Sequence, residues 1–464
     1  MVTSATSSSM SERLLTASLR RSAGGRALAG VMAAALAAAD PAQATAAALR
    51  REGDWLIVGD RRYDLRAFER AWLVGAGKAG AAMTAAAVAA LVDRLSGGVV
   101  VVKDDGAPLP DVAGVSLLRA AHPTPDERSV VAGQRIATLL AQAGARDLVI
   151  GLISGGGSAL LNLPVPGVTL ADIQALTTAL LACGAPIGAI NTLRKHLDQL
   201  KGGGLARLAA PATLVTLILS DVVGSPLDVI ASGPTVADPT TFADAIATLD
   251  QYGLRAQCPP AIVAYLEAGA RGERPETPKP GDQALAAVQN VLIGSNAQAA
   301  QAALAAARAA GFNALLLTTY LEGEAREVGR VLAGIAREMA TTGQPLAPPA
   351  CLIAGGETTV TLRGTGRGGR NQELALSAAL ALDGLNGVLV AALATDGGDG
   401  PTDAAGAVAT GDTVARAHAL GYEPRDYLQR NDSYTLFASL DDLLLPGPTG
   451  TNVNDLVFVL VEAT

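Results

Sequence analysis

The side chains of this sequence that could do chemistry gather in six glycine-dense segments. The first, Gly75-Ala76-Gly77-Lys78-Ala79-Gly80, spells the dinucleotide-binding pattern G-x-G-x-x-G, and Asp104 and Asp105 further on could serve as the ribose-binding acid. Lys78 makes this loop unusual. A cation at a helix start over-serves a pyrophosphate and suits a doubly charged phosphoryl group or a carboxylate. Nucleotide binding, another anion site and a solvent-facing lysine on a tight turn are all readings this loop allows. The second segment, Ser154-Gly155-Gly156-Gly157-Ser158, offers backbone N–H groups and hydroxyls as a cradle for anionic oxygen. It lacks the Gly-Lys-Ser/Thr of a Walker A loop and the G-x-S-x-G of a hydrolase elbow.

In the third, Arg194, Lys195, His196 and Lys201 line a helix ending in Gly202-Gly203-Gly204. They form either a solvated basic face with a glycine cap or an anion-facing surface. The fourth places Asp221 just after an apolar run, where an acid holds Mg²⁺, accepts a proton from a substrate hydroxyl, or merely caps the next helix. The last two lie far along the chain. Glu357 follows Gly355-Gly356, and Arg370 with Asn371 opens a helix, where a guanidinium stabilises charge on a transferring phosphoryl group. Asp396, Asp399 and Asp403 stand within eight residues, a density that suits metal chelation or binding of substrate hydroxyls without matching a calcium loop. The polar stretch Thr449 to Asp455 reads as facing the same cleft.

These segments need strands to position them, because ligands of open α/β sheets bind beyond the carboxyl ends of strands. Apolar runs at 71–74, 98–103, 148–153 and 214–219 alternate with helical stretches, which predicts a βαβ series with a mostly parallel sheet. A second series begins at Asn290 and includes 314–318, 350–354, 388–394 and 456–461. The prolines between Cys258 and Gln283 read as a linker. The expected organisation is a disordered tail over 1–10, a first domain over 11–265, a linker over 266–285 and a second domain over 286–464. Met10 is an alternative start to Met1.

The net charge of −8 argues against nucleic acid, which needs a concentrated basic surface. No apolar stretch reaches the ~18 residues a membrane span requires. Cys183, Cys258 and Cys351 are scattered and odd in number, which points to a reducing, cytoplasmic setting.

Taken together, nine ordered stretches resemble one family, the glycerate 2-kinases with a MOFRL-type C-terminal domain, often formerly labelled hydroxypyruvate reductases. The stretches are GAGKAG, HPTPDERS, ISGGGSALL, NTLRKHLDQLKGGGLA, LSDVVGSPLDVIASGPT, GGETTV, GRGGRNQE, TDGGDGPTDAAGA and TGTNVNDL, running from residue 75 to 456.

The resemblance implies a Rossmann-like parallel-sheet first domain, a second α/β domain and an active site in the cleft between them. It implies transfer of the γ-phosphoryl of ATP, with Mg²⁺, to the 2-hydroxyl of D-glycerate by a monomer or homodimer. The family's functional lysine, aspartate and arginine fall on Lys78, Asp221 and Arg370, with Asp221 also the expected metal ligand. Expected substrate or nucleotide contacts are Gly77, Ser154, Gly155, Gly156, Gly157, Ser158, Arg194, Lys201, Glu357, Asn371, Asp396 and Asp399. Gly224-Ser225-Pro226 departs from the family's more usual Gly-Asp-Pro, which would leave a metal to Asp221 and Asp228. The alternative is a nicotinamide-dependent hydroxypyruvate reductase using the G-x-G-x-x-G loop and Asp104; neither His122 nor His196 has a local carboxylate to make the acid/base pair such a reductase needs.

Overall fold

The computed structural model describes residues 9–463 apart from positions 92 and 107. Two compact units emerge, one formed by Pro41–Ile293 and the other by the described residues up to Asp40 together with Gly294 onward. Among the described residues no single helix is long and apolar enough to cross a membrane, and the three cysteines are free.

In the first unit a small antiparallel sheet, β1 (Leu49–Glu52), β2 (Trp55–Val58) and β3 (Arg61–Asp64), precedes the main sheet. That sheet holds β4 (Arg70–Ala76), β5 (Leu95–Lys103), β6 (Val115–Ala120), β7 (Asp147–Ile153), β8 (Thr213–Leu219) and β9 (Val288–Gly294), in the order β6-β5-β4-β7-β8-β9. The β6–β5, β5–β4, β4–β7 and β7–β8 pairs are parallel. Every residue of β7 is buried, as a strand covered on both faces must be, and this explains its unbroken apolar run. One core joins Trp72, Val74, Val149 and Leu214 to Ile136 and Leu205 from helices Glu127–Leu140 and Gly204–Ala209. A satellite core gathers Leu176, Leu193, Phe242 and Leu266 from four further helices.

The second unit's sheet runs β10 (Asn313–Leu321), β11 (Ala350–Gly356), β15 (Asp455–Val461), β12 (Val388–Ala394), β13 (Gly406–Thr410), β14 (Leu443–Leu444). Only β10–β11 is parallel; β15 enters antiparallel between β11 and β12. This second α/β layer is therefore mixed, where continued βαβ alternation had been expected. Burial on both faces yields the same apolar runs in either direction, so the pattern carries no sign of it.

The expected boundaries also shift. The strand at Asn290 lies beside β8, where Leu214 N–H donates to Ala287 O at 3.0 Å. It is the last strand of the first sheet, not the first of the second. The expected linker is structured within the first unit: helix Pro260–Ala270 supplies Leu266 to the core, and Glu276 accepts the Phe242 N–H at 3.0 Å. Helix Gly25–Ala38 packs on Asn296–Ala309, and the Ser18 hydroxyl donates to Asp442 at 2.7 Å, so the N-terminal helices belong to the second unit. Ser9 and Met10, assigned to the tail, begin a helical stretch; the rest of that tail lies outside the described residues.

Candidate active site

The chain moves outward from β4 to β5 and β6, then starts β7 on the other side of β4. That reversal is a topological switch point, where open α/β sheets bind ligands. The Gly75–Gly80 and Ser154–Ser158 loops leave from it, after β4 and β7. Lys78 N–H donates to Gly155 O at 2.9 Å, and Ser154 N–H donates to Ala76 O at 3.1 Å, tying the loops together. Gly77 stands at φ +148°, and a Cβ there would lie 2.0 Å from Ser154 Oγ and 2.7 Å from its carbonyl oxygen. Only glycine permits that approach. Ser154 itself is buried, its hydroxyl accepting the Ala79 N–H at 3.1 Å. Ser154 thus joins the two loops.

Three side chains converge on the Ser154–Ser158 loop. Lys78 is exposed, and its Cγ lies 3.3 Å from where a Cβ on Gly156 would stand. The same point is 2.9 Å from the Cδ2 of His122. Asp221, two residues beyond β8, brings Oδ2 to 2.1 Å from a Cβ position on Gly155. Burial, with the charges of Lys78 and Lys103 adding to it, pushes the His122 imidazole down to about 4, so the ring is neutral at pH 7. His122 was not among the expected site residues, because no carboxylate accompanies it in sequence. Its place just past the end of β6 was the available signal. Ser158 is half-buried, its hydroxyl 2.8 Å from that of Ser232, which donates to Asn191 Oδ1 at 3.1 Å.

Of the four cations expected to form a basic surface, three are structural. The buried Lys195 ammonium lies 3.2 Å from Asp228 and 3.4 Å from Asp238. His196 is held by Thr192 O at 2.7 Å and Glu276 at 3.0 Å. Lys201, expected at a ligand, is buried and donates to Leu161 O, Asn162 Oδ1 and Asp198 Oδ2 at 2.7, 2.9 and 2.7 Å. An ammonium has three donors, so all three are engaged within the protein. Arg194 differs. It is half-buried, and among the described residues no group accepts a hydrogen bond from its guanidinium and no carboxylate pairs with it.

For a metal, Asp228 is committed to Lys195, and Ser225 sits at φ +52° with its N–H on Val222 O at 2.9 Å. Among the described residues no cluster of three or more His, Cys, Asp or Glu side chains could hold a metal alone. A single carboxylate, Asp221, fits the way Mg²⁺ is usually bound beside phosphates.

In the second unit, Arg370 forks onto Asp455, Nε at 2.5 Å and one terminal nitrogen at 3.1 Å, while the other reaches Glu357 at 2.6 Å. Asp455 begins β15 and Glu357 follows β11, so adjacent strand ends hold the guanidinium. These acids hold Arg370 well above its ordinary value against the opposing pull of burial. Asp399 accepts the N–H groups of Asn371 at 3.2 Å and Gln372 at 2.9 Å, capping helix Arg370–Leu382. Asp399 and Asn371 are both buried, and the pair fixes the helix N-terminus. Asp396 is exposed and accepts the Gly398 N–H at 3.1 Å. Sequence reasoning missed Asp455 as a partner of Arg370 because 85 positions separate them.

Residues 27–267 match the family described as Domain of unknown function (DUF4147), and residues 350–455 match the MOFRL family. A D-glycerate 2-kinase from Thermotoga maritima is 46% identical over 393 residues, which cover 85% of this chain and 91% of that protein. The chain belongs to the glycerate 2-kinase family. A relative from Agrobacterium vitis, provisionally named a hydroxypyruvate reductase, is also 46% identical, over 84% of this chain and 87% of its own. A solved structure titled glycerate kinase, from Thermotoga maritima, superposes with a TM-score of 0.84 at 40% identity, covering 98% of this chain and 100% of that one. Within the glycerate 2-kinase family assignment, Lys78, His122, Arg194 and Asp221 fall in the first matched segment, and Glu357, Arg370 and Asp399 in the MOFRL segment.

Proposed function

We propose that this protein is a cytoplasmic glycerate 2-kinase, transferring the γ-phosphoryl group of ATP to the 2-hydroxyl of D-glycerate to give 2-phosphoglycerate and ADP. The observation that carries the reading is the convergence of Lys78, His122 and Asp221 on one glycine loop at the switch point, in a chain 46% identical to a D-glycerate 2-kinase. Phosphoryl transfer asks a protein mostly for positioning and charge neutralisation. Lys78 neutralises charge on the transferring group, and the Gly155–Gly157 backbone cradles anionic oxygen. Asp221 orients the attacking hydroxyl or holds Mg²⁺, which when bound supplies charge neutralisation on the phosphates. Neutral His122 leaves the positive charge at the loop to Lys78. Arg370 stabilises phosphoryl charge, a role supported by its family position and by the acids that keep it charged and aimed.

The reductase alternative loses support from Asp104, whose carboxylate lies 2.6 Å from Arg128 and 3.8 Å from Arg119 instead of standing open for a ribose. A product assay with ATP, Mg²⁺ and D-glycerate tests the reading: 2-phosphoglycerate must form in step with ADP. Oxidation of NADH by hydroxypyruvate without ATP, and no phosphorylated product, would overturn it.

A further inference from the structure

Resting on that reading, we propose that Arg194 binds the carboxylate of the substrate, and that the cavity behind Ser158 admits only the carboxylate end of a short 2-hydroxy acid. Ser158, Asn162, Leu176, Thr177, Leu193 and Arg194 line this cavity, whose volume is about 30 Å³. A water needs roughly 10–15 Å³ on this measure, so the space takes two or three heavy atoms. A carboxylate has three heavy atoms, whereas a phosphate has five.

The charge pattern points the same way. A buried charge without a partner is costly, and folded proteins pair such groups. Lys195 and Lys201, on the same segment, are fully paired. The acid nearest in the cavity wall, Asp198, is occupied by Lys201 and by the N–H groups of Leu163 and Leu200, at 2.7, 2.9 and 2.9 Å. Arg194 thus lines the cavity with its planar fork unused, and burial lowers its proton affinity with no acid opposing. A bidentate carboxylate is the ligand that this fork matches.

The position suits the chemistry. Ser158 belongs both to the cavity wall and to the loop on which Lys78, His122 and Asp221 converge. In a 2-hydroxy acid the reacting hydroxyl sits on the carbon next to the carboxyl. A carboxylate seated on Arg194 therefore holds that hydroxyl toward the loop, and chains bearing the hydroxyl farther away are misplaced. Neutral analogues such as glycerol lack the anchoring charge.

The test uses full-length Arg194→Ala and Arg194→Lys proteins. Removing one partner of a desolvated charge pair is expected to raise KM for D-glycerate about 100-fold. Because the contact is made in ground and transition states alike, kcat should stay within about threefold. Arg194→Lys should recover part of the loss, and added guanidinium ion should lower KM of the Ala variant. Ligand-free Arg194→Ala should melt no lower than wild type, since an unpaired charge has been removed. D-glycerate alone should raise the wild-type melting temperature and not the variant's. A KM within about twofold of wild type, or equal protection of both proteins by glycerate, would overturn the proposal. So would protection by inorganic phosphate, and not glycerate, that disappears with Arg194. If Arg194→Ala does not fold, Arg194→Lys carries the same comparisons. Wild type that makes no 2-phosphoglycerate, yet is protected by glycerate through Arg194, would sink the kinase reading and leave the carboxylate site standing. Active wild type with variants whose KM for D-glycerate and protection by it match wild type would sink the site alone.

Discussion

The carboxylate of Asp221 occupies the space that a side chain on Gly155 would need: a Cβ there would come within 2.1 Å of Oδ2 and 2.5 Å of Cγ. The clash is with the end of a short side chain, not with backbone, so the carboxylate can swing aside. Gly155→Ala is therefore expected to fold with a near-normal melting temperature while displacing Asp221. A misplacement of about 1 Å costs on the order of 100-fold in rate. Steady-state turnover beside a thermal melt checks this. A variant that loses stability as steeply as activity would contradict it.

Lys78 is exposed, and among the described residues no carboxylate pairs with its side chain, so its removal leaves no buried charge behind. Lys78→Ala should keep the fold and lower turnover about a thousandfold, the scale of losing one preorganised charge at a transferring phosphoryl group. ADP release at saturating glycerate is the measurement. Turnover near wild type would remove Lys78 from the mechanism.

The first sheet and its loops were legible because β4, β7 and β8 are short apolar runs ending in glycine or polar residues, the signature of buried parallel strands. What was not legible depended on partners distant in sequence. Arg194 and Lys201 read alike along one basic stretch, yet Lys201 is consumed by Leu161, Asn162 and Asp198 while Arg194 is not. Nothing in the Asp396–Asp403 segment shows that the Asp399 carboxylate accepts two N–H groups of a helix nearly thirty residues away. β15 gives no hint, from its own residues, that it inserts antiparallel between β11 and β12. The G-x-G-x-x-G pattern predicted a tight loop correctly, but Asp104, the acid a ribose would need, is tied to Arg128.

Arg370 holds Asp455, whose side chain is only 6% exposed, so its loss has a structural as well as a catalytic consequence. Arg370→Ala should destabilise the fold by about 3 kcal/mol, because a buried carboxylate is left uncompensated. Adding Asp455→Asn should return most of that stability while activity remains lost. Denaturant unfolding and turnover on the single and double variants separate the two contributions. Activity restored in the double variant would assign Arg370 a purely structural role.

Asp399 sets a pH dependence of opposite sign to that of an ordinary salt-bridged acid. Burial raises its carboxyl to about 7, with the neighbouring charge of Asp455 adding and the Gln372 and Asn371 N–H groups opposing. An unfolded aspartate titrates near 3.8. Between those values the folded chain holds a proton that the unfolded chain has released. By linkage, the stability contributed by Asp399 is fully present below about 4 and is lost as pH rises through about 7. In Asp399→Asn the carboxyl cannot ionise, and the amide oxygen still accepts one of the helix N–H bonds. The melting temperature of wild type minus that of Asp399→Asn should therefore be larger at pH 5 than at pH 8, while groups common to both proteins cancel in the difference. A difference that stays flat, or grows toward alkaline pH, would show that Asp399 is already ionised in the folded protein at pH 5.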